Sequence, residues 1–410
     1  MLWVIQLQRR FALTFWGALS ILLLILMIPG AALCDEFRII PSIALREAYN
    51  DNIYFSTSDR VQSWTTTITP GLELTDRTEK MDLGLSAIVG INRYTDEPSL
   101  NSIDQHYKGR LGYTFDPTVN MQAETGWSRT SSPDRDIATT GIVLGNIQRD
   151  KTYGNIAGNW AISPRLAAGA FYSYEQDLYD SPTVSNLEWN QANVGLYYDL
   201  GLATKARLIA GYAGYRFTSQ DTNSFSGTVG VDYRYHELWT IVVDAGARYA
   251  STKYQVQELQ FVPPFFLVPV KVDKTSEEWS GICTASIKYN GEKTISSLSF
   301  SYDLAPASGL SGAAQRTAFI FDIRHRLTYE FSGAFSTSYF LNYAAANQYG
   351  VNAINQETFT VVPSLRYEFT RDLYLDLGYN FSNTQYKLTS TSAYRDLAFV
   401  RLYAQHRLFE

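Results

Sequence analysis

From Phe37 to the end of the chain, apolar side chains recur at every second position, the period of a β-strand with two unlike faces. Trp64-Thr66-Ile68-Pro70-Leu72-Leu74, Phe225-Gly227-Val229-Val231-Tyr233-Tyr235 and Trp239-Ile241-Val243-Ala245-Ala247-Tyr249 show it early, and Phe359-Val361-Pro363-Leu365-Tyr367-Phe369 late. The intervening positions are polar or small: Ser226, Thr228, Gly230, Asp232 and Arg234 in one run, Thr360, Val362, Ser364, Arg366 and Glu368 in another. One face suits hydrocarbon and the other suits water.

A soluble sandwich also alternates, so three further features decide. The apolar face carries aromatics at its ends and smaller aliphatics between them, the arrangement of interfacial girdles. Charges such as Asp244, Arg248, Arg324 and Arg326 fall well inside strands, where a dry core would require a partner for each and a wet lumen does not. Connections alternate in length. Asp116-Pro117, Ser163-Pro164, His236-Glu237, Asn290-Gly291 and Ser332-Gly333 are tight, whereas 48–60, 94–103, 130–149, 177–186, 254–274, 304–314, 346–354 and 385–392 are longer and polar, with 218–222 short among them. The expected fold is all-β: a transmembrane antiparallel up-and-down barrel of about 18 strands, with 16 as the alternative, filling residues 35–410 as one domain. Tight turns and both termini are expected on the periplasmic side, in the outer membrane of a Gram-negative bacterium.

Ahead of the barrel, residues 1–34 read as a signal peptide: Arg9-Arg10, the apolar stretch Phe11 to Met27, then Pro29-Gly30-Ala31-Ala32-Leu33-Cys34. Beyond it no apolar run approaches the roughly 20 residues of a spanning helix, and the mean hydropathy of −0.16 is too low for a helical bundle. Aromatic residues make up 14% of the chain, with Tyr (29) exceeding Phe (22), as suits a chain that meets a membrane interface. The formal charge of −6 gives no reason to expect nucleic acid as a partner, and two cysteines, Cys34 and Cys283, make neither a disulfide framework nor a metal cluster.

The alternation places a two-signed set of side chains on the lumen face. Candidate pore-lining cations are Arg46, Lys108, Arg110, Arg207, Arg234, Arg248, Arg324, Arg326, Arg366 and Arg401, and candidate anions are Glu124, Asp232, Asp244, Asp322 and Asp376. They either pair across strands to keep a hydrated wall or line a transport path, where Tyr197, Tyr215, Tyr374 and Tyr403 would stack on sugar rings. The cationic excess is slight, less than a path for a strongly acidic polymer would show. Of four histidines only His106 points inward; no paired-His metal spacing, nucleophile elbow or phosphate loop occurs, so no catalytic residue, metal or cofactor is expected and the chain is read as a non-enzyme. Glycines such as Gly112, Gly126, Gly169, Gly211 and Gly230 fall on the lumen face, where they widen the passage or ease curvature. One long loop is apolar and proline-rich, Phe261-Val262-Pro263-Pro264-Phe265-Phe266-Leu267-Val268-Pro269-Val270. It is an extended hairpin, a segment folded inward to constrict the pore, or a docking patch.

Arg46-Glu47-Ala48-Tyr49-Asn50-Asp51-Asn52-Ile53-Tyr54, followed by Ile68-Thr69-Pro70-Gly71-Leu72, resembles the start of a β-barrel porin family often encoded beside exopolysaccharide biosynthesis and export genes. The resemblance is sharp over residues 37–74 and amounts to barrel pattern afterwards. It implies an outer-membrane channel with a periplasmic polysaccharide export protein as partner, and no defined substrate. The leading expectation is a channel, set in outer-membrane lipid, that takes part in exopolysaccharide export with a polysaccharide as transported ligand. A general or small-solute porin and an adhesion or structural barrel acting through its loops remain the alternatives.

Overall fold

The computed structural model describes residues 36–132, 135–262, 266–307, 309–310 and 312–408. The expected signal peptide and Cys34 lie outside them. Eighteen strands follow one another along the chain: β1 (Glu36–Asn50), β2 (Ser63–Arg77), β3 (Met81–Tyr94), β4 (Ser102–Asp116), β5 (Val119–Thr130) and β6 (Arg149–Ser163) come first. β7 (Leu166–Tyr179), β8 (Leu187–Asp199), β9 (Thr204–Phe217), β10 (Gln220–Tyr235), β11 (Trp239–Val262) and β12 (Phe266–Asn290) form the middle. β13 (Thr294–Pro306), β14 (Ala313–Arg326), β15 (Phe331–Ala344), β16 (Ile354–Thr370), β17 (Leu373–Tyr386) and β18 (Thr391–Gln405) complete the set. Each strand pairs antiparallel with its neighbours in sequence, and β1 pairs with β18 from Ser42↔Gln405 to Asn50↔Leu397, so the sheet closes into an 18-stranded ring. Closure removes the sheet edges that a bilayer cannot solvate. No helix among the described residues is long and apolar enough to cross a membrane; the crossing is made by strands.

The outward face is the one the alternation assigns to lipid. Val194, Leu196, Leu208, Phe225, Val229, Phe319, Leu365, Leu377 and Leu402 all stand exposed on it. Paired aromatics bound this band: Trp239 beside Tyr289 (4.7 Å between ring centres) near the short turns, and Tyr249 beside Trp279 (5.3 Å) near the long loops. Ten residues separate Trp239 from Tyr249 along β11. At about 3.3 Å per residue and a tilt near 40° they are about 25 Å apart along the barrel axis, the height of a lipid-facing band.

The two rims differ, as the loop lengths predict, with two corrections. The connection 218–219 is short, as expected; 263–265 and 387–390 at the long-loop rim are short as well, because the flanking strands run on past the membrane band. The largest case is β11–β12, expected to end near residues 253 and 275. Its ladder continues from Tyr254↔Lys274 to Val262↔Phe266, a two-stranded ribbon about 30 Å long at 3.3 Å per residue pair. Beyond the membrane band, the Glu258 carboxylate lies 2.5 Å from the Lys274 ammonium and holds it above the usual lysine range. Pro269 is accommodated within β12 because that stretch has β11 on one side and an unpaired edge on the other. Of the singled-out loop, Phe261 and Phe266 therefore belong to the ribbon's ladder, and Pro263, Pro264 and Phe265 lie outside the described residues. The backbone on either side is an extended hairpin.

The lumen glycines also act differently from expectation at one place. A Cβ on Gly230 would lie 2.1 Å from Asp244 Oδ1 and 2.5 Å from the Val243 carbonyl oxygen. Here glycine permits close approach of β11 and seats Asp244; it does not widen the passage.

Candidate functional site

The interior of the barrel at the long-loop rim is occupied by the chain's own connections. The 130–149 connection, between β5 and β6, was expected to face outside. Its residues 135–148 turn inward instead and reach β15 and β16; β6 and β15 are nine strands apart in the ring of 18. The short helical turn Ile137–Thr140 ends at Gly141, whose φ of 69° is the left-handed conformation that glycine adopts without strain. Asn342 Nδ2 donates to the Thr140 carbonyl (2.9 Å), and Gln356 Nε2 (3.1 Å) and Thr358 Oγ1 (2.5 Å) both donate to the Gly141 carbonyl. A Cβ on Gly141 would come within 2.4 Å of Phe340 Cβ, so the backbone sits directly on the opposite wall.

Apolar packing completes the plug. Ile142 and Leu144 join Leu187, Phe217, Leu304, Ala307, Tyr349 and Ile354 in a buried cluster, and Ile137 packs with Phe55 and Ala393. Gly309 and segment 345–353 take part as well: Ser185 bridges Gly309, and Gln220 Nε2 donates to the Tyr349 carbonyl (2.8 Å). Burial of Ile142 and Leu144 contributes roughly 2 kcal/mol each by area removed from water.

Beneath the plug lies a cavity of about 460 Å³ walled by β6 to β14. Its charges are largely paired. Arg149 meets Asp136 at 3.0 Å and Asp177 at 3.6 Å, and Lys151 meets Glu175 at 2.7 Å. Arg248 donates to Asp303, to Ser280 Oγ (2.8 Å) and to Gln315 Oε1 (2.6 Å). Arg316 donates to two neutral acceptors, Asn342 Oδ1 (2.9 Å) and the Pro306 carbonyl (3.1 Å). Trp189 Nε1 is buried in this wall with no hydrogen-bond partner among the described residues.

Of the residues expected to line the pore, the structure groups several. Lys108 pairs with Glu124 (2.7 Å), Arg110 approaches Glu73 (3.9 Å), and Arg207 approaches Asp244 (3.3 Å). Asp376 sits between two arginines: Arg366 donates through Nε (2.7 Å) and Nη2 (3.2 Å), and Arg401 through Nε (3.1 Å) and Nη2. Arg46 stands opposite Arg401 in the β1–β18 ladder, its guanidinium 4.7 Å from the Phe399 ring centre. Arg366 lies 3.9 Å over Tyr374, which stacks on Tyr403 at 4.6 Å and 19°. Asp232 stands opposite Lys205, and Asp322, Arg324, Arg326 and Arg234 are exposed or half-exposed towards the short-turn end of their strands, apart from the cavity. His106 is exposed. Among the described residues no group of three or more His, Cys, Asp or Glu side chains could hold a metal ion.

Sequence reasoning missed the cavity cluster of Asp136, Arg149, Lys151, Glu175, Asp177, Asp303 and Arg316. A signal was present, since Lys151 is opposite Asp177 and Asp303 opposite Arg316 once each hairpin is put in register.

No protein-family model matches the chain, and no curated protein matches it. Solved structures do. OccK3 (OpdO) of Pseudomonas aeruginosa is 10% identical at a TM-score of 0.42, covering 90% of this chain and 96% of its own. OccAB4 of Acinetobacter baumannii is 10% identical at 0.44, covering 90% and 99%, and OccK1 (OpdK) of Pseudomonas aeruginosa is 11% identical at 0.43, with the same coverage. The barrel assignment stands on this chain's own ladders.

Proposed function

We propose that the protein is a narrow, loop-gated outer-membrane channel for small hydrophilic solutes, with the long-loop rim outside the cell and both termini in the periplasm. One observation carries this reading: residues 135–148 cross the lumen and are held on the far wall by Asn342, Gln356 and Thr358. An 18-stranded barrel has room for an aqueous passage, and this chain fills much of that room at one rim. What remains is a cavity of about 460 Å³, at the scale of a small molecule.

Export of an exopolysaccharide is the second reading. The Tyr374–Tyr403 stack beside Arg366 and Asp376 favours it, because aromatic faces and charged hydrogen-bonding groups suit pyranose rings. A polymer would require the plug to leave the lumen, a task for a periplasmic polysaccharide export protein acting as partner.

Proteoliposome swelling separates the two. The channel reading expects swelling with monosaccharides and small amino acids, none with long oligosaccharides, and unchanged surface glycan in a deletion strain. Absence of small-solute flux together with loss of surface polysaccharide on deletion would overturn it in favour of export.

A further inference from the structure

The ring is closed, yet one seam is short. β12 pairs with β13 only from Cys283↔Tyr302 to Asn290↔Ile295. Above that point the two strands part. β13 continues beside β14 from Asp303↔Arg316 to Pro306↔Ala313 and leans into the lumen, where Tyr215 Oη donates to the Leu304 carbonyl (3.1 Å). Leu304 and Ala307 are buried there. β12 continues upward from Ile282 to Phe266 with β11 alone. Among the described residues its other edge has no neighbouring strand, and an unpaired edge at the membrane interface leaves backbone donors and acceptors to be satisfied by water or by a bound molecule.

The cavity beneath the plug reaches this break. Its lining includes Thr284 and Ser301, which pair just below the parting point, and Asp303 to Pro306 on the departing strand. From β11, Arg248 spans the parted strands, bonding Ser280 on one side and Asp303 on the other, and is only 2% exposed. On the outside, Trp279 is 74% exposed at the level of the aromatic girdle. At Gly281 nothing lies within 4 Å of where a Cβ would stand.

We propose that the β12–β13 break is a side door through which a single-chain amphiphile exchanges between the lumenal cavity and the adjoining leaflet, with Arg248 as its bolt. The head of such a molecule accepts hydrogen bonds from Trp189 Nε1, which has no partner among the described residues, and meets Arg316, whose own hydrogen-bond acceptors are neutral. Its chain leaves past Gly281 and lies along Trp279, with no polar side chain at position 281 to cross. The route goes beyond passage of small polar solutes along the barrel axis and does not depend on it.

The test uses the full chain in proteoliposomes with Cys283→Ser as background. Ser301→Cys places a thiol at the foot of the seam, and Gln191→Cys places one in the same cavity on β8, away from it. Thr284→Cys is a second seam position should Ser301→Cys fail the heat-modifiable mobility check for folded barrel. Each is reacted with a long-chain N-alkyl maleimide delivered in the bilayer and, for normalisation, with a water-soluble sulfonated maleimide. The expected result is a normalised alkyl-reagent rate several-fold higher at position 301 than at position 191, raised by Arg248→Met and abolished by Gly281→Trp. Equal normalised rates at the two positions, or a seam rate indifferent to Gly281→Trp, would overturn the proposal whatever the channel conducts.

Discussion

Replacing residues 135–146 by a short Gly-Ser bridge is expected to raise single-channel conductance in planar bilayers several-fold and to let larger solutes through. The segment removed carries Ile137, Ile142 and Leu144, all buried, and the two carbonyls that Asn342, Gln356 and Thr358 hold on the opposite wall. It contributes nothing to the strand ladders, and β5 and β6 remain paired from Val119↔Trp160 to Thr130↔Arg149. The barrel therefore still closes, while Asn342, Gln356 and Thr358 regain water as a partner in the widened lumen. A milder change acts in the same direction. Gly141→Ala puts a methyl group 2.4 Å from Phe340 Cβ, at a φ of 69° that costs a non-glycine residue about 1–2 kcal/mol. It is expected to produce brief openings in place of a permanently larger pore. Conductance traces of the three proteins decide the matter; a deletion that conducts like the native protein would remove the plug's assigned role.

Asp376→Ala is expected to lower stability to urea by about 1–3 kcal/mol and to shift ion selectivity towards anions. The carboxylate is 5% exposed and takes hydrogen bonds from both Arg366 and Arg401. Removing one partner of a sealed ion pair costs about 3–5 kcal/mol because the other charge stays buried and uncompensated. The arginine side chains here keep 30% and 38% exposure to the lumen, and water recovers part of that loss. With Asp376 gone, Arg46, Arg366 and Arg401 stand on strands β1, β16 and β18 without the acid between them, which repels cations from this stretch of wall. Adding Arg401→Met should restore part of both properties, since it removes one of the stranded charges. Reversal potentials across a salt gradient and urea unfolding in vesicles read the two effects separately. If the selectivity of Asp376→Ala is unchanged, this part of the wall does not face the conducting path.

The strand period, the aromatic girdles and the inward charges were legible because they are set by local alternation, which a bilayer enforces on every strand in the same way. Ladder register followed for the same reason: Arg110 with Glu124 and Arg366 with Asp376 fall opposite one another once the hairpin turns are fixed. What the alternation could not convey was where the connections go. The loop at 131–148 holds Ile137, Ile142, Val143, Leu144 and Ile147 in a segment with no strand period. Five aliphatic side chains in one connection need cover, and only the lumen supplies it. The stretch at 261–270 drew attention by its prolines and phenylalanines. Its flanks, however, keep the period of two, Tyr254 opposite Lys274 and Val256 opposite Val272, and extend the strands. Aperiodic apolar content marks an inserted loop, while periodic apolar content marks a longer strand.

The seating of residues 135–148 on the far wall is the point on which the account depends most. Phe340 on β15 is 1% exposed and lies against Gly141. A photo-reactive p-benzoylphenylalanine at position 340, irradiated in intact proteoliposomes and followed by proteolysis and mass spectrometry, should be found joined to a peptide containing residues 139–143. Cross-links confined to neighbouring strands β14 and β16, with none to that segment, would contradict the account.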